Sequence, residues 1–506
     1  MLATSLFASL VLGLQPNPAG RIVIDGRFDD WASVPIALAD PAGAPKAAVD
    51  FGEVRISHDD RFVHLLMDFG RTVNVQKLDG TVLLLLDCDG NRETGKSMRG
   101  LGGVDVIIEL TPANAEFPGQ AGEGVGLRST TYQPDPQDTA ARRLSPYDIG
   151  FTFAPTYASD RFEFRIRRGV ELPQTAATFT RDRFTGKLLF RDRAGHARDE
   201  TGAFSYELTP VNRSAKPKAR DPLSRPGEAG LRIVSWNVNQ GALLANSEPF
   251  GRVLAAVDPD VILLQELTDR NTAGQVEGVL NRWLPRDGPQ QWDVVFGAGG
   301  GNLRCVIASR LELTPAKPVE LVPHPMWRED HYLRAVGTII EHAGKRLLVI
   351  SVHLRARGRA GSREDLIRGL ELETLRQAIR TAMLGENING IIVAGDFNLV
   401  GSRRPLDLMT KWLDLENWSL EAAQAYQLDG LSNATWSDPD EPFVPGRLDY
   451  LLYSDATLTV LRSFVLDSRD LNPRWLDRHG LKLHDTASAS DHLPLIADVK
   501  WVDAGL

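Results

Sequence analysis

The chain has 506 residues, too many for one ordinary core, so two domains are expected. It carries 57 Lys and Arg against 66 Asp and Glu, a formal net charge of −9. That balance excludes a global basic field for nucleic acid, so a phosphate substrate would have to be held by metal and local arginines.

Met1 to Leu14 form an uncharged apolar run with small residues, resembling the h-region of a secretory signal but without a basic n-region. Residues 1–19 are thus expected to be a signal peptide, cut between Gly13 and Gly20, which places the protein outside the cytoplasm: secreted, periplasmic or at the cell surface. A mistaken start or an N-terminal strand is the alternative. No other run is long enough to be a transmembrane segment. Nothing here fixes the oligomeric state.

Residues 20–210 read as an all-β sandwich. Short apolar or alternating runs recur at Ile22-Val23-Ile24, Val54-Arg55-Ile56, Phe62 to Met67, Val82 to Leu86, Val104 to Ile108 and Phe162 to Ile166, punctuated by Gly, Asp and Asn. Within them Asp87, Asp89, Asn91 and Asp105 are closely spaced oxygen donors around a Gly turn. Such a loop suits a structural Ca²⁺, and a Gly-Asn hairpin turn explains it equally well. The two cysteines, Cys88 and Cys305, fall in different predicted domains and make no disulfide framework; two buried thiols are expected. Residues 211–230 hold several prolines and no periodicity, and read as a linker.

From residue 231 to 506 strands alternate with helices. Ser247-Glu248-Pro249 opens a helix with Ser as its cap, and Val253, Leu254 and Val257 face a sheet. A second helix runs from about Ser362 to Leu384, with Leu366, Leu370, Leu375, Ile379 and Met383 on one face. Alternation with two facing sheets predicts an α/β sandwich.

Chemistry gathers at the ends of the strand-like runs. Asn237, Glu266, His353 and the Asp396–Asn398 pair close four of them, Asp449 opens another, and Asp491-His492 precedes the last. Polar groups at the ends of buried strands converge on one rim of a sheet. The oxygen and nitrogen donors, with no thiol, suit a hard divalent cation such as Mg²⁺, Mn²⁺ or Ca²⁺. Taken singly, Glu266 is equally a solvent-facing strand end and Asn237 a turn residue. Asp396 and Asn398, two apart, can hold and deprotonate a water or contact a phosphate oxygen. Asp449 can fix the tautomer of His492 and favour its charged form. Arg355 and Arg357, just after His353, read either as a phosphate-facing loop or as ordinary basic surface.

Ser235-Trp236-Asn237, Gln265-Glu266, Ser351-Val352-His353-Leu354, Gly395-Asp396-Phe397-Asn398, Arg447-Leu448-Asp449-Tyr450 and Ser490-Asp491-His492-Leu493-Pro494 occur in an order that resembles the endonuclease/exonuclease/phosphatase superfamily. The resemblance implies a deoxyribonuclease I-like four-layer α/β sandwich over about Leu231 to Val502. It further implies metal ligands at Glu266, Asn237 and Asp491, and water activation by Asp396. Asn398 would contact the scissile phosphate, and His492, oriented by Asp449, would stabilise the transition state. His353 matches a second histidine of the deoxyribonuclease and sphingomyelinase branches, where the exonuclease III branch has Tyr; no carboxylate partner for it is evident.

Ile24-Asp25-Gly26-Arg27-Phe28-Asp29-Asp30-Trp31 and the later Asp87 to Gly95 and Gly103 to Val106 stretches resemble family-nine carbohydrate-binding modules, which implies a polysaccharide partner for the N-terminal domain. The expected function is a secreted, Mg²⁺- or Mn²⁺-dependent phosphodiester hydrolase, foremost a nuclease acting on nucleic acid. The alternatives are a phospholipid or sphingomyelin phosphodiesterase or phosphatase, and a non-catalytic binding protein on the same fold.

Overall fold

The computed structural model describes residues 21–502 apart from 42, 44–45, 115–121, 131–141, 174, 210–219, 286–291, 328–330 and 412–419. The expected signal peptide, 1–19, lies outside the described residues, as does most of the first half of the Pro-rich segment.

Residues 36–207 form two antiparallel sheets. One runs Ile36–Ala39, Glu53–His58, Phe62–Val73, Ser159–Arg167, Thr152–Ala154 in spatial order. The other runs Ala197–Glu200, Arg183–Arg191, Thr81–Asp87, Val106–Leu110, Val125–Ser129, Arg142–Leu144, with Phe204–Glu207 also paired to Arg183–Arg191. Alternate residues such as Leu84, Leu86, Phe162 and Phe164 meet in one core between them, as period-two strands require. The Ile22–Ile24 run departs from expectation. It joins neither sheet; Ile24 bridges instead to Ser432 in the C-terminal half, and Ile22 and Ile24 pack with Trp31, Leu66 and Ala154. The Val104–Ile108 run breaks at Asp105 into Leu101–Val104 and Val106–Leu110. Both cysteines are buried free thiols.

Residues 231–501 carry two further sheets. The central strands of one are Leu303–Ser309, Val261–Thr268, Leu231–Asn237 and Leu495–Trp501. Those of the other are Ala335–His342, Lys345–His353, Gly390–Asp396 and Asp449–Ser454. Ile233, Leu263, Val349 and Ile392 fill the space between the sheets. Their sequence neighbours point away: Val234 and Ile262 meet Val253, Leu254 and Val257 of the Ser247–Val257 helix, and Ile350 and Ile391 meet Leu372, Leu375 and Ile379 of the Arg363–Gly385 helix. The result is helix, sheet, sheet, helix. That explains why these strands are apolar on both faces.

Two local expectations are corrected. Ser247 is the first helical residue, the cap position is Asn246, and no side chain caps it. On the long helix Leu366 and Leu370 are 56% and 42% exposed. A five-residue step turns a helix by about 140°, so Leu370 leaves the face of Leu375. The buried stripe is Arg368, Leu372, Leu375, Ile379 and Ala382, and Ser362 caps the helix by accepting from Asp365 N.

The described part of the Pro-rich segment, 220–230, is packed. Leu223 is buried. Its carbonyl accepts from Arg232 Nη1 at 3.0 Å, and that guanidinium also binds Asp498 at 2.6 and 2.8 Å. Across the seam between the two halves, Val125 N donates to Pro442 O at 2.8 Å, Thr152 Oγ1 to Pro445 O at 2.8 Å and Thr156 Oγ1 to Arg447 O at 3.0 Å. Asn74 Nδ2 donates to the carbonyls of Val400 and Gly401.

Candidate active site

Register alone brings three of the polar residues side by side. His353 pairs with Asp396 across parallel strands, and Asp396 pairs with Asp449 across antiparallel ones. The adjoining Gly395 has φ +149°, and a Cβ on it would run into the Val352 carbonyl, so only glycine fits there. From the facing sheet, Asn237 ends the Leu231–Asn237 strand. Glu266 does not end its strand. It lies in a bulge between Leu264 and Leu267, with a left-handed φ of +63°. The extra residue re-aims the Glu266 carboxylate toward the rim, at the cost of backbone strain for a non-glycine.

Asp396, buried, is the hub. Its Oδ1 accepts from Asn398 N at 2.8 Å. Its Oδ2 accepts from Asn398 Nδ2 at 3.1 Å and Asn237 Nδ2 at 3.2 Å. The same oxygen faces His353 Nε2 at 3.6 Å and His492 Nε2 at 3.7 Å. Burial pushes this carboxyl up to about 7, against the opposing pull of His492. Asn398 also donates to Leu354 O at 3.2 Å, so both its amide hydrogens are committed within the site.

His492 Nδ1 meets Asp449 Oδ2 at 2.8 Å. Burial alone would lower the imidazolium's pKa, but Asp449 and then Asp396 outweigh it and hold it up at about 10. Trp236 Nε1 donates to His492 O at 2.8 Å, and Ser490 Oγ accepts from His492 N at 3.1 Å. Asp449 N in turn donates to Thr435 Oγ1. His353 is the opposite case. Burial, then the Arg334 guanidinium and His492, hold its pKa well below the usual value, which favours the neutral form. Its Nδ1 is buried without a hydrogen-bond partner. Its Nε2 also lies 3.6 Å from Glu266 Oε1.

Ligand atoms of Glu266, His353 and Asp396 lie within 4.8 Å of one another. Two carboxylates and a neutral imidazole fit a divalent cation. Asn237 Nδ2 stands 3.1 Å from Glu266 Oε1 as well as 3.2 Å from Asp396 Oδ2, placing a partial positive charge between the two acids. Asp491 is not one of these three: Trp436 Nε1 donates to its Oδ2 at 3.1 Å and Ser490 Oγ to its Oδ1 at 3.3 Å, and its charge is felt by His492. Arg355 and Arg357 are exposed, and among the described residues no hydrogen bond or ion pair ties either guanidinium to the hub. Their carbonyls accept from the buried Arg368.

Arg334, Thr435 and Trp436 are additions that sequence reasoning missed. Arg334, just before the Ala335–His342 strand, was detectable only as a basic residue at a strand start. Thr435 and Trp436 lie in irregular chain that carries no periodic signal. In the N-terminal domain Asp87, Asp89 and Asp105 converge; Asn91 N donates to Asp89 Oδ1 at 2.9 Å, and the Asn91 Oδ1 accepts from Glu93 N in the turn.

The two-sheet α/β sandwich is a deoxyribonuclease I-like fold, and the endonuclease/exonuclease/phosphatase enzymes that share it are phosphoester hydrolases. The sequence model of the Endonuclease/Exonuclease/phosphatase family matches residues 234–492, just over half of the chain, and the chain belongs to that family. Its members generally use a divalent metal. Among solved structures, the chain is similar to the human Nocturnin catalytic domain with bound sulfate (19% identity, 56% of this chain and 100% of that one, TM-score 0.36). It is also similar to ANGEL2, a 2′,3′-cyclic phosphatase (16%, 53% and 94%, TM-score 0.38). A third is the 3′ phosphatase NExo from Neisseria bound to product DNA hairpin (16%, 54% and 100%, TM-score 0.35). No curated protein matches the chain. Among the described residues no helix is long and apolar enough to cross a membrane.

Proposed function

We propose that the chain is a Mg²⁺- or Mn²⁺-dependent phosphodiester hydrolase, exported from the cytoplasm, whose substrate is nucleic acid. The observation that carries this is the hub: one oxygen of Asp396 faces two amides and two imidazoles of opposite protonation preference. Glu266 and, through its amide oxygen, Asn237 would hold the metal, with Asp491 as a further ligand and His353 Nε2 within reach. The bound cation would polarise the phosphate and acidify a water.

Asp396 orients that water and takes its proton. Hydrogen bonds from Asn237 and Asn398 favour the ionised carboxylate the task needs. Asn398 acts first by positioning Asp396, since its own amide hydrogens are committed. His492, kept charged by Asp449, directs Nε2 toward the space beside Asp396, where an N–H donor steadies charge growing on the phosphorane or the leaving oxygen. The exposed arginines that follow His353, Arg355 and Arg357, suit a substrate with phosphates flanking the scissile one.

Hydrolysis of bis-nitrophenyl phosphate, DNA, RNA and sphingomyelin should be compared, with the Asp396→Ala protein as control. Metal-dependent cleavage of nucleic acid, lost in the variant, is expected. Cleavage of sphingomyelin alone would move the substrate to lipid. Equal activity in the variant would overturn the mechanism.

A further inference from the structure

The N-terminal sandwich carries a second set of carboxylates far in sequence from the hydrolase rim. Asp87 ends the Thr81–Asp87 strand, Asp89 lies in the turn after it, and Asp105 sits at the break between Leu101–Val104 and Val106–Leu110. One oxygen from each lies within 4.8 Å of the others. Asp87 and Asp105 are 2% and 0% exposed. Three acids this close, two of them out of water, repel one another unless a proton or a cation takes up part of their charge.

A second observation points to what that is. Each carboxylate is held from behind by a hydroxyl of a different residue. Thr185 Oγ1 donates to Asp87 Oδ2 at 3.2 Å, Thr94 Oγ1 to Asp89 Oδ1 at 3.0 Å and Thr175 Oγ1 to Asp105 Oδ1 at 2.9 Å. Cys88 N takes the other oxygen of Asp105 at 2.8 Å. The remaining oxygen of Asp87, Oδ1, is buried and has no hydrogen-bond partner among the described residues. An orphaned buried carboxylate oxygen inside a cluster whose other contacts are satisfied is costly in a folded protein. Outer hydroxyls that orient carboxylates in this way are how cation ligands are usually supported.

We propose that Asp87, Asp89 and Asp105 bind one Ca²⁺, which ties the turn after the Thr81–Asp87 strand to the break at Asp105. Oxygen-only ligands, two of them buried, favour Ca²⁺ over Mg²⁺, because Mg²⁺ gives up its water shell reluctantly and demands strict octahedral geometry. The Cys88 thiol packs in the sandwich core and is no ligand.

The test is a calorimetric titration of the full-length chain with CaCl₂. It is done in a Glu266→Gln background so that cation uptake at the hydrolase rim is suppressed. Adding Asp89→Ala, which takes away the ligand oxygens altogether, should remove one equivalent of bound Ca²⁺ while near-ultraviolet circular dichroism stays unchanged. Should that variant misfold, the Glu266→Gln protein itself provides the second measurement: Ca²⁺ should raise its melting temperature by several degrees, and Mg²⁺ at the same concentration should do so less. The same number of equivalents with and without Asp89, or a melting temperature indifferent to Ca²⁺, would overturn the proposal.

Discussion

The Asp449–His492 pair can be tested as a unit. Holding an imidazole at about 10 instead of 6.5 corresponds to a preference for the charged form of about 5 kcal/mol. That is an upper bound, because a cation beside Asp396 would weaken that acid's share. Asp449 is the largest favourable contributor, so Asp449→Asn should let the His492 pKa fall by several units and cut turnover by about 10²–10⁴. His492→Ala should cost a similar factor, and the double variant should be little worse than the poorer single one. Substrate affinity should move far less than turnover, since the imidazolium matters as charge builds. Turnover and KM on a chromogenic diester, with NMR titration of the imidazole and circular dichroism for folding, form the assay. The fold is linked to the same proton. The folded pKa is raised, so this pair's stabilisation is fully present below about 6.5 and is lost as pH climbs through about 10. Multiplying losses, or a His492 loss that falls on KM, would refute the paired mechanism.

Three other outcomes are expected. Chelation with EDTA should abolish hydrolysis and Mg²⁺ or Mn²⁺ should restore it; full activity after exhaustive chelation would contradict the assignment of Glu266 and Asn237. Asp498→Asn should destabilise the chain by about 3–5 kcal/mol in urea unfolding, because Arg232 would remain buried without its bidentate partner. A fragment beginning near residue 229 should keep its two sheets but melt below the full-length chain, having lost the buried Leu223 and its neighbours as well as the hydrogen bonds of Asn74, Val125, Thr152 and Thr156 across the seam; an unchanged melting temperature would show those contacts to be inert.

Much of the hydrolase half was legible because strand ends are local features. His353, Asp396 and Asp449 needed only the order of three strands to become neighbours. Glu266 was legible as a residue but not as a bulge, since the extra residue shows only when its partner strand is counted. Asp491 stood in the motif beside His492, yet its contacts depend on Trp436, in a connection without periodicity. Leu366 and Leu370 misled because apolar identity outweighed angular position on the long helix. Ile22–Ile24 looked like any short strand; its partner lies some four hundred residues away, and no local pattern encodes that.

The connection from 428 to 448 serves two masters. On one side Thr435 receives Asp449 N and Trp436 grips Asp491; on the other the carbonyls of Asp438, Pro442, Pro445 and Arg447 are read by Tyr147, Val125, Thr152 and Thr156 of the sandwich. A recombination that traded this sandwich for another at the 211–230 boundary would strip one face of a loop whose other face builds the rim. The two halves are therefore coupled through one loop: a graft of the hydrolase half onto a foreign partner would bring the catalytic side chains intact but leave the loop behind them unsupported.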